Sequence, residues 1–399
     1  MRRAQTDMFT DERMNFKSAM ELTAESLRSY GAGYRHWSLA FSGGKDSSAT
    51  LTVVVHLIDS GRVPRPDSLT VIYADTRLEL PPLHNAAMAT LAELRRRGIR
   101  TQIVLPPLDK RFFVYMFGRG VPPSHSGFRW CTGALKIDPM TEALRAMRDE
   151  AGEKFLMLTG VRLDESAARD QRIAVSCSRD GTECGQGYFQ RDTPDSVADR
   201  LAPIVHWRAC FVWDWLRFEA PSLGFATADI AEVYGIDAEG SQAELGARTG
   251  CVGCPVAKQD TALDNVLKQP KWAYLAPLKR LRSVYDELSR PCNRLRRSSN
   301  TFGPLVMEAR SYGIHEILSI QAEVNAGAAR EGTPPVILID DEELARIEEL
   351  IAANSWPDKW TGEEMRGDAL LEVPDGDRIA LAEIMHGGGN QFVIPLQAI

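Results

Sequence analysis

No apolar run in this 399-residue chain approaches the length of a membrane span, which takes about 18 or more consecutive apolar residues. The basic start, Met1-Arg2-Arg3, has no apolar segment behind it, so no secretory leader is expected and the protein is expected in the cytoplasm. An excess of positive charge is also missing: 47 Lys and Arg stand against 54 Asp and Glu, for a net charge of −7. That excludes bulk electrostatic attraction to nucleic acid, though not a local basic patch. Cysteines are few, seven in all, and none follows Cys292. In a reducing compartment they are expected as metal or redox ligands and buried thiols rather than as a disulfide framework. The remaining composition is ordinary, 44% hydrophobic and 25% charged, and the length suits one large α/β domain with an appendage, or two domains.

The most informative stretch is Ser42-Gly43-Gly44-Lys45-Asp46-Ser47. It follows an apolar strand candidate, Trp37 to Phe41, and opens a helix candidate, Ser48 to Leu57. A glycine pair at such a junction lets successive N–H groups curl into an anion-binding nest, and the helix N-terminus adds unpaired donors. Two serine hydroxyls and the Lys45 ammonium complete a pyrophosphate cradle. A Walker A loop is excluded, because Leu39 stands where its first glycine would be and Asp46 follows the lysine. The six residues resemble the PP-loop (SGGxDS) of the ATP pyrophosphatase superfamily. Its members cut ATP between the α and β phosphates, transfer AMP to a substrate and release pyrophosphate. The resemblance implies ATP and Mg²⁺ as cofactors, with Ser42 to Ser47 holding the nucleotide and Lys45 and Asp46 in catalysis.

Further strand candidates are Leu69–Ala74, Thr101–Leu105, Phe155–Thr159 and a short Ile204–Trp207, separated by helix candidates Leu83–Arg97 and Lys136–Asp149. Such alternation predicts an α/β fold, a doubly wound and mostly parallel sheet; the PP-loop resemblance implies the adenine nucleotide α-hydrolase type. Three regions are expected: a helical lead-in over 1–34 docked by Leu22, Leu27 and Tyr30, a nucleotide domain over 35–260, and a helical, partly basic region over 261–399. Residues 163–200 read as a polar surface loop beside the site. The last hundred residues hold an acidic helix, Asp340 to Ala353, and a tail with Gly387-Gly388-Gly389.

Asp75 ends the second strand candidate, where parallel sheets bind ligands. It either meets Mg²⁺ or the nucleotide, or caps the next helix. Arg162 and Arg169 follow the strand at Phe155–Thr159 and offer guanidinium forks for phosphate, or pair with Asp164 and Glu165. Gly160-Val161-Arg162-Leu163-Asp164-Glu165-Ser166 resembles the GxRxxES stretch of the phosphoadenosine phosphosulfate (PAPS) reductase branch, which implies a role for Arg162 in catalysis. Cys251 and Cys254 form a C-x-x-C pair, ambiguous by itself between zinc, an iron–sulfur cluster and a redox couple. With Cys131, five residues before Lys136, the pair resembles the adenylylsulfate reductases, whose CC…K…P and GCxxC elements hold a [4Fe–4S] cluster. Thr132 replaces one of that family's four ligands, so the resemblance leaves Cys131, Cys251 and Cys254 with Cys292 as the substitute fourth, for a cluster or for Zn²⁺. Cys210 reads as a buried thiol; Cys177 and Cys184 lie in the polar loop.

PAPS reductases use a cysteine in a C-terminal ECGxH segment, which this chain lacks. From Phe41 to Cys292 the SGGKDS, RWCT, LKIDPM, GVRLDES and GCVGC motifs are instead similar to the DndC/SspD group of bacterial DNA phosphorothioation proteins. That resemblance implies an ATP pyrophosphatase and sulfurtransferase acting with a cysteine desulfurase as sulfur donor, DNA as acceptor and other phosphorothioation proteins as partners. A tRNA thiolase, a PAPS-type reductase and a non-catalytic ATP sensor are the alternatives. Lys279, Arg280, Arg282, Arg290, Arg294, Arg296 and Arg297 form a basic segment that either contacts nucleic-acid phosphates or is a solvated, paired face. Trp207, Trp272 and Tyr274 offer rings for base stacking or for the core.

Overall fold

The computed structural model describes residues 14–163, 188–190, 196–227, 230–234, 250–257, 259–298, 301–367, 370–372 and 378–380. Its centre is a six-stranded sheet in the order β3-β2-β1-β4-β6-β5. The strands are β1 (His36–Phe41), β2 (Ser68–Ala74), β3 (Arg100–Val104), β4 (Phe155–Leu158), β5 (Tyr188–Gln190) and β6 (Ala198–Ala202). Every pairing is parallel except β5 with β6. The strand order reverses between β1 and β4, and an open sheet leaves a crevice at such a switch point.

Both faces of the sheet are covered, which is why its strands read as unbroken apolar runs. Val71 and Tyr73 of β2 join the larger core. Ile72 and Ala74, pointing the other way, join a smaller one with Ala143, Leu144 and Met147. Four helices serve the sheet: α1 (Phe16–Gly31), α2 (Lys45–Asp59), α3 (Pro81–Arg96) and α4 (Asp138–Ala151). In α1, Asn15 accepts from the Ser18 N–H, and the Trp207 indole donates to Thr23 at 2.9 Å. Leu27 docks in the core and Tyr30 packs against it.

The short strand expected at Ile204–Trp207 is a turn region; the strand of this segment is β6, which begins, as β5 wholly lies, within what the sequence suggested was one long loop over 163–200. Ala198–Ala202 contains a buried Asp199 bound by Lys154 and Tyr34, a polar interruption that hides its strand pattern.

The C-terminal region is helical, with α5 (Thr261–Leu267), α6 (Arg280–Leu288), α7 (Met307–Glu331) and α8 (Asp341–Ala352), beside a small sheet containing β7 (Arg294–Ser298) and β8 (Thr301–Leu305). The acidic helix expected near its end is α8, set by a reciprocal cap in which Asp340 accepts from the Glu343 N–H and Glu343 accepts from the Asp340 N–H. No helix among the described residues is long and apolar enough to cross a membrane. Gly387, Gly388 and Gly389 lie outside the described residues, as do Asp164, Glu165, Ser166, Arg169, Cys177 and Cys184.

Candidate nucleotide site

β1 delivers the chain to the switch point at Phe41, and the glycine loop turns it into α2. Gly43 has φ +73°, a conformation that L side chains rarely adopt, and a Cβ there would come within 3.2 Å of Ala87. Gly44 caps α2 in an extended conformation. The Ser47 hydroxyl donates to the Gly44 carbonyl at 3.0 Å and lies 3.0 Å from the Ser42 hydroxyl, closing the loop upon itself. A cavity of about 410 Å³ opens over it, lined by Ser42, Gly44, Lys45, Asp46 and Ser47, and by Ala74, Glu79, Lys136, Met140, Gly160 and Cys251 from other elements. Its volume is that of a small-molecule site, roughly 300–1,000 Å³. Gly160 lets β4 approach: a Cβ there would stand 2.8 Å from both the Asp46 carbonyl carbon and the Ser47 nitrogen.

Asp46 is the shared counter-ion of two buried cations. Lys45 Nζ lies 3.2 Å from one of its oxygens, and Arg162 Nε donates to the other. Arg162 also donates to the Trp207 carbonyl at 3.0 Å and is 3% exposed. It does not line the cavity. The sequence suggested a fork for phosphate; the geometry gives a positioning group that holds Asp46 and, through it, Lys45. Tyr234, which no motif flags, lines the cavity as well. Its hydroxyl accepts from the Lys45 N–H at 3.2 Å, and Lys45 Nζ lies 5.0 Å from its ring centre.

Glu79 is the second group that sequence reasoning missed. Burial pushes its carboxyl above the usual range, opposed by the nearby Lys136 ammonium. Thr76 donates to one oxygen at 2.7 Å, while the other is buried with no hydrogen-bond partner among the described residues. An orphaned hard oxygen on the wall of a cavity built over a glycine loop fits a Mg²⁺–nucleotide complex, since Mg²⁺ takes one or two carboxylates alongside phosphate oxygens. Asp75, the sequence's candidate for that task, lines a neighbouring cavity instead and accepts from the Arg77 N–H at 2.9 Å, a turn-capping contact.

Of the four cysteines expected as ligands, Cys131 and Cys254 lie close enough to Cys251 for their charges to act on its thiol. Cys251 sits against the loop after β2, where the Val252 N–H donates to the Leu78 carbonyl at 2.7 Å. Burial pushes its thiol up to about 11, with Lys136 opposing and the charges of Cys254 and Cys131 adding to the rise. Cys292 lies in the turn Pro291–Asn293, where its carbonyl accepts from Arg366. Among the described residues no group of three or more His, Cys, Asp or Glu is arranged to hold a metal ion. Cys210, expected buried, is exposed.

The basic segment is largely neutralised within the fold. Lys279 pairs with Asp264, Arg280 with Glu323, Arg290 with Glu287 and Arg297 with Glu364. Arg294 is buried and donates to the carbonyls of Phe302 and Gly303. Trp207 is a core residue, 1% exposed.

Comparison with curated proteins finds no match. Among solved structures, the chain is similar to the phosphoadenylyl-sulfate (PAPS) reductase of Candida auris at 13% identity and TM-score 0.34, over 53% of this chain and 93% of that one. It is similar to the U34-tRNA thiolase NcsA of Methanococcus maripaludis, solved with its [4Fe-4S] cluster, at 15% identity and TM-score 0.34, over 75% and 89%. The FMN adenylyltransferase of Candida glabrata, solved with FMN and the ATP analogue AMPCPP, follows at 13% identity and TM-score 0.32, over 84% and 82%. These are distant likenesses. The sequence match is more specific, because residues 36–221 fit the family model for the phosphoadenosine phosphosulfate reductase domain. That stretch holds the glycine loop, Asp46, Glu79, Lys136 and Arg162, so the sheet-bearing part of this chain is similar to the PAPS reductase domain.

Proposed function

We propose that the protein is an ATP pyrophosphatase that adenylylates a DNA backbone phosphate for sulfur insertion in DNA phosphorothioation, with a cysteine desulfurase and other phosphorothioation proteins as partners. The observation that carries the reading is the closed glycine loop at the sheet's switch point, with Lys45 and Asp46 on a cavity of nucleotide size. In this reading the β and γ phosphates of ATP rest on the loop, taking N–H groups of the α2 N-terminus and the hydroxyls of Ser42 and Ser47. Asp46 fixes the Lys45 ammonium beside them, and Arg162 fixes Asp46. Mg²⁺, when bound through Glu79 and the phosphates, supplies charge neutralisation. The acceptor oxygen attacks the α-phosphorus, its bond to the bridging oxygen breaks, and pyrophosphate leaves on the loop. A sulfur nucleophile then attacks the adenylylated acceptor phosphorus and AMP departs.

Pyrophosphate release from ATP and Mg²⁺, assayed with and without duplex DNA, tests the first half, and mass spectrometry of nuclease-digested DNA for phosphorothioate-linked dinucleotides tests the second. Absence of pyrophosphate under both conditions defeats the proposal; thionucleoside in tRNA instead of DNA moves the acceptor to RNA. Asp46→Asn leaves two buried cations without their counter-ion. It is expected to abolish turnover and to cost about 3–5 kcal/mol of stability, read by urea denaturation.

A further inference from the structure

A second cavity, of about 240 Å³, adjoins the first, and Glu79 belongs to the wall of both. It is too small for a nucleotide, given the roughly 300–1,000 Å³ of ordinary ligand pockets. Its lining combines polar Asp75, His84 and Asn85 with Tyr274, Val252 and Pro335. Two further lining residues, Leu105 and Ile337, are large apolar side chains left 39% and 44% exposed. Arg77 enters from a backbone with φ +63°, a strained conformation of the kind that clusters at ligand sites. Its guanidinium is held by Asp340 at 3.2 Å. With that cation committed, Asp75 and Glu79 present acceptor oxygens to the cavity, which favour a neutral ring bearing N–H donors. Tyr274 is positioned by close packing on α7, where a Cβ on Gly327 would come within 2.5 Å of the Tyr274 Cβ.

We propose that this second cavity receives one nucleobase of the acceptor strand, a base carrying an exocyclic amino group, stacked against Tyr274 with its amino group donated to Asp75. The inference rests on the reading of the acceptor as nucleic acid and adds how the strand is registered. One base held here would set an adjoining backbone phosphate toward the α-phosphorus site. Stacking on an aromatic ring binds any base; the carboxylate selects those with an amino group.

The test uses the full chain saturated with a non-hydrolysable ATP analogue, so that the first cavity is filled. Deoxycytidine, deoxyadenosine, deoxyguanosine and thymidine are titrated and followed by saturation-transfer NMR. The three amino-bearing nucleosides are expected to bind more tightly than thymidine. Tyr274→Ala should weaken them about tenfold or more, Tyr274→Phe should retain them, and Asp75→Asn should remove their advantage over thymidine. In pyrophosphate release, Tyr274→Ala should raise the KM for nucleic acid, with separate single-stranded DNA and tRNA arms identifying the source of the base. Binding that the ATP analogue abolishes, or that Tyr274→Ala leaves unchanged, overturns the base site while adenylyl transfer stands. If no nucleic acid raises pyrophosphate release, the acceptor reading fails, and if no nucleoside binds either, both fail together.

Discussion

At Gly160 one hydrogen atom decides whether the cavity of the proposed nucleotide site is open or blocked. A methyl group there meets the backbone of Asp46 and Ser47, which has no flexible end to move aside. Gly160→Ala is therefore expected to displace the start of α2 and reduce ATP affinity at least tenfold by calorimetry, with far-UV circular dichroism unchanged. Thiol chemistry divides on the same scale. Cys210 is exposed, whereas burial holds the Cys251 thiol protonated, at about 11. The thiolate is the reactive form, so iodoacetamide at pH 8 should label Cys210 before Cys251, as peptide mass spectrometry would record. The glycines, Lys45 and Asp46 were legible because their chemistry is local. Glu79 and Tyr234 were not: neither belongs to a motif, and each acquires its place from a partner distant in the chain.

Among the elements, α1 owes its attachment partly to a histidine outside it. His206 Nε2 lies 2.9 Å from the Ala19 carbonyl, which can only accept, so Nε2 carries the proton. Nδ1 is buried without a partner among the described residues. Burial lowers the His206 pKa from its ordinary 6.5. A depressed folded value means that the unfolded chain binds the proton more readily. Its contribution is thus complete above about pH 6.5 and is lost as pH falls toward the folded value. Thermal denaturation between about pH 7 and pH 5 should show falling stability, and His206→Gln should remove part of that slope. His56, also lowered by burial, contributes with the same sign. Helix α7 falls in the region expected to be helical, but the sequence did not single it out. Its buried stripe has apolar Ile317, Ile320 and Val324 only at the centre and passes through Arg310, Gly313 and Gly327 towards the ends, which dilutes the pattern. At those glycines the helix packs closely against Phe117 and Tyr274.

Over the whole molecule, Arg310 ties the C-terminal helices to the rest. It is fully buried and donates to the carbonyls of Leu305, Gly118 and Ser355, and its guanidinium lies 4.0 Å from the Trp356 ring centre. Burial alone pushes its pKa down to about 10. Arg310→Met would remove three hydrogen bonds to the carbonyls of Leu305, Gly118 and Ser355. It is expected to cost roughly 3 kcal/mol or more, measured as a lower urea midpoint; Arg310→Lys should recover only part, because one ammonium cannot span three acceptors in that geometry.

Sequence by itself determined the alternation of strand and helix, the glycine loop and the charge types beside it, because strand burial, helix periodicity and turn conformation are properties of neighbouring residues. Tertiary structure decided what each charge faces. It turned Arg162 inward onto Asp46, placed Asp75 on the second cavity, put Glu79 between the two cavities and paired off the basic segment. Electrostatic partners are chosen by position in space, across separations as long as the 116 residues between Asp46 and Arg162, and no local pattern encodes that choice.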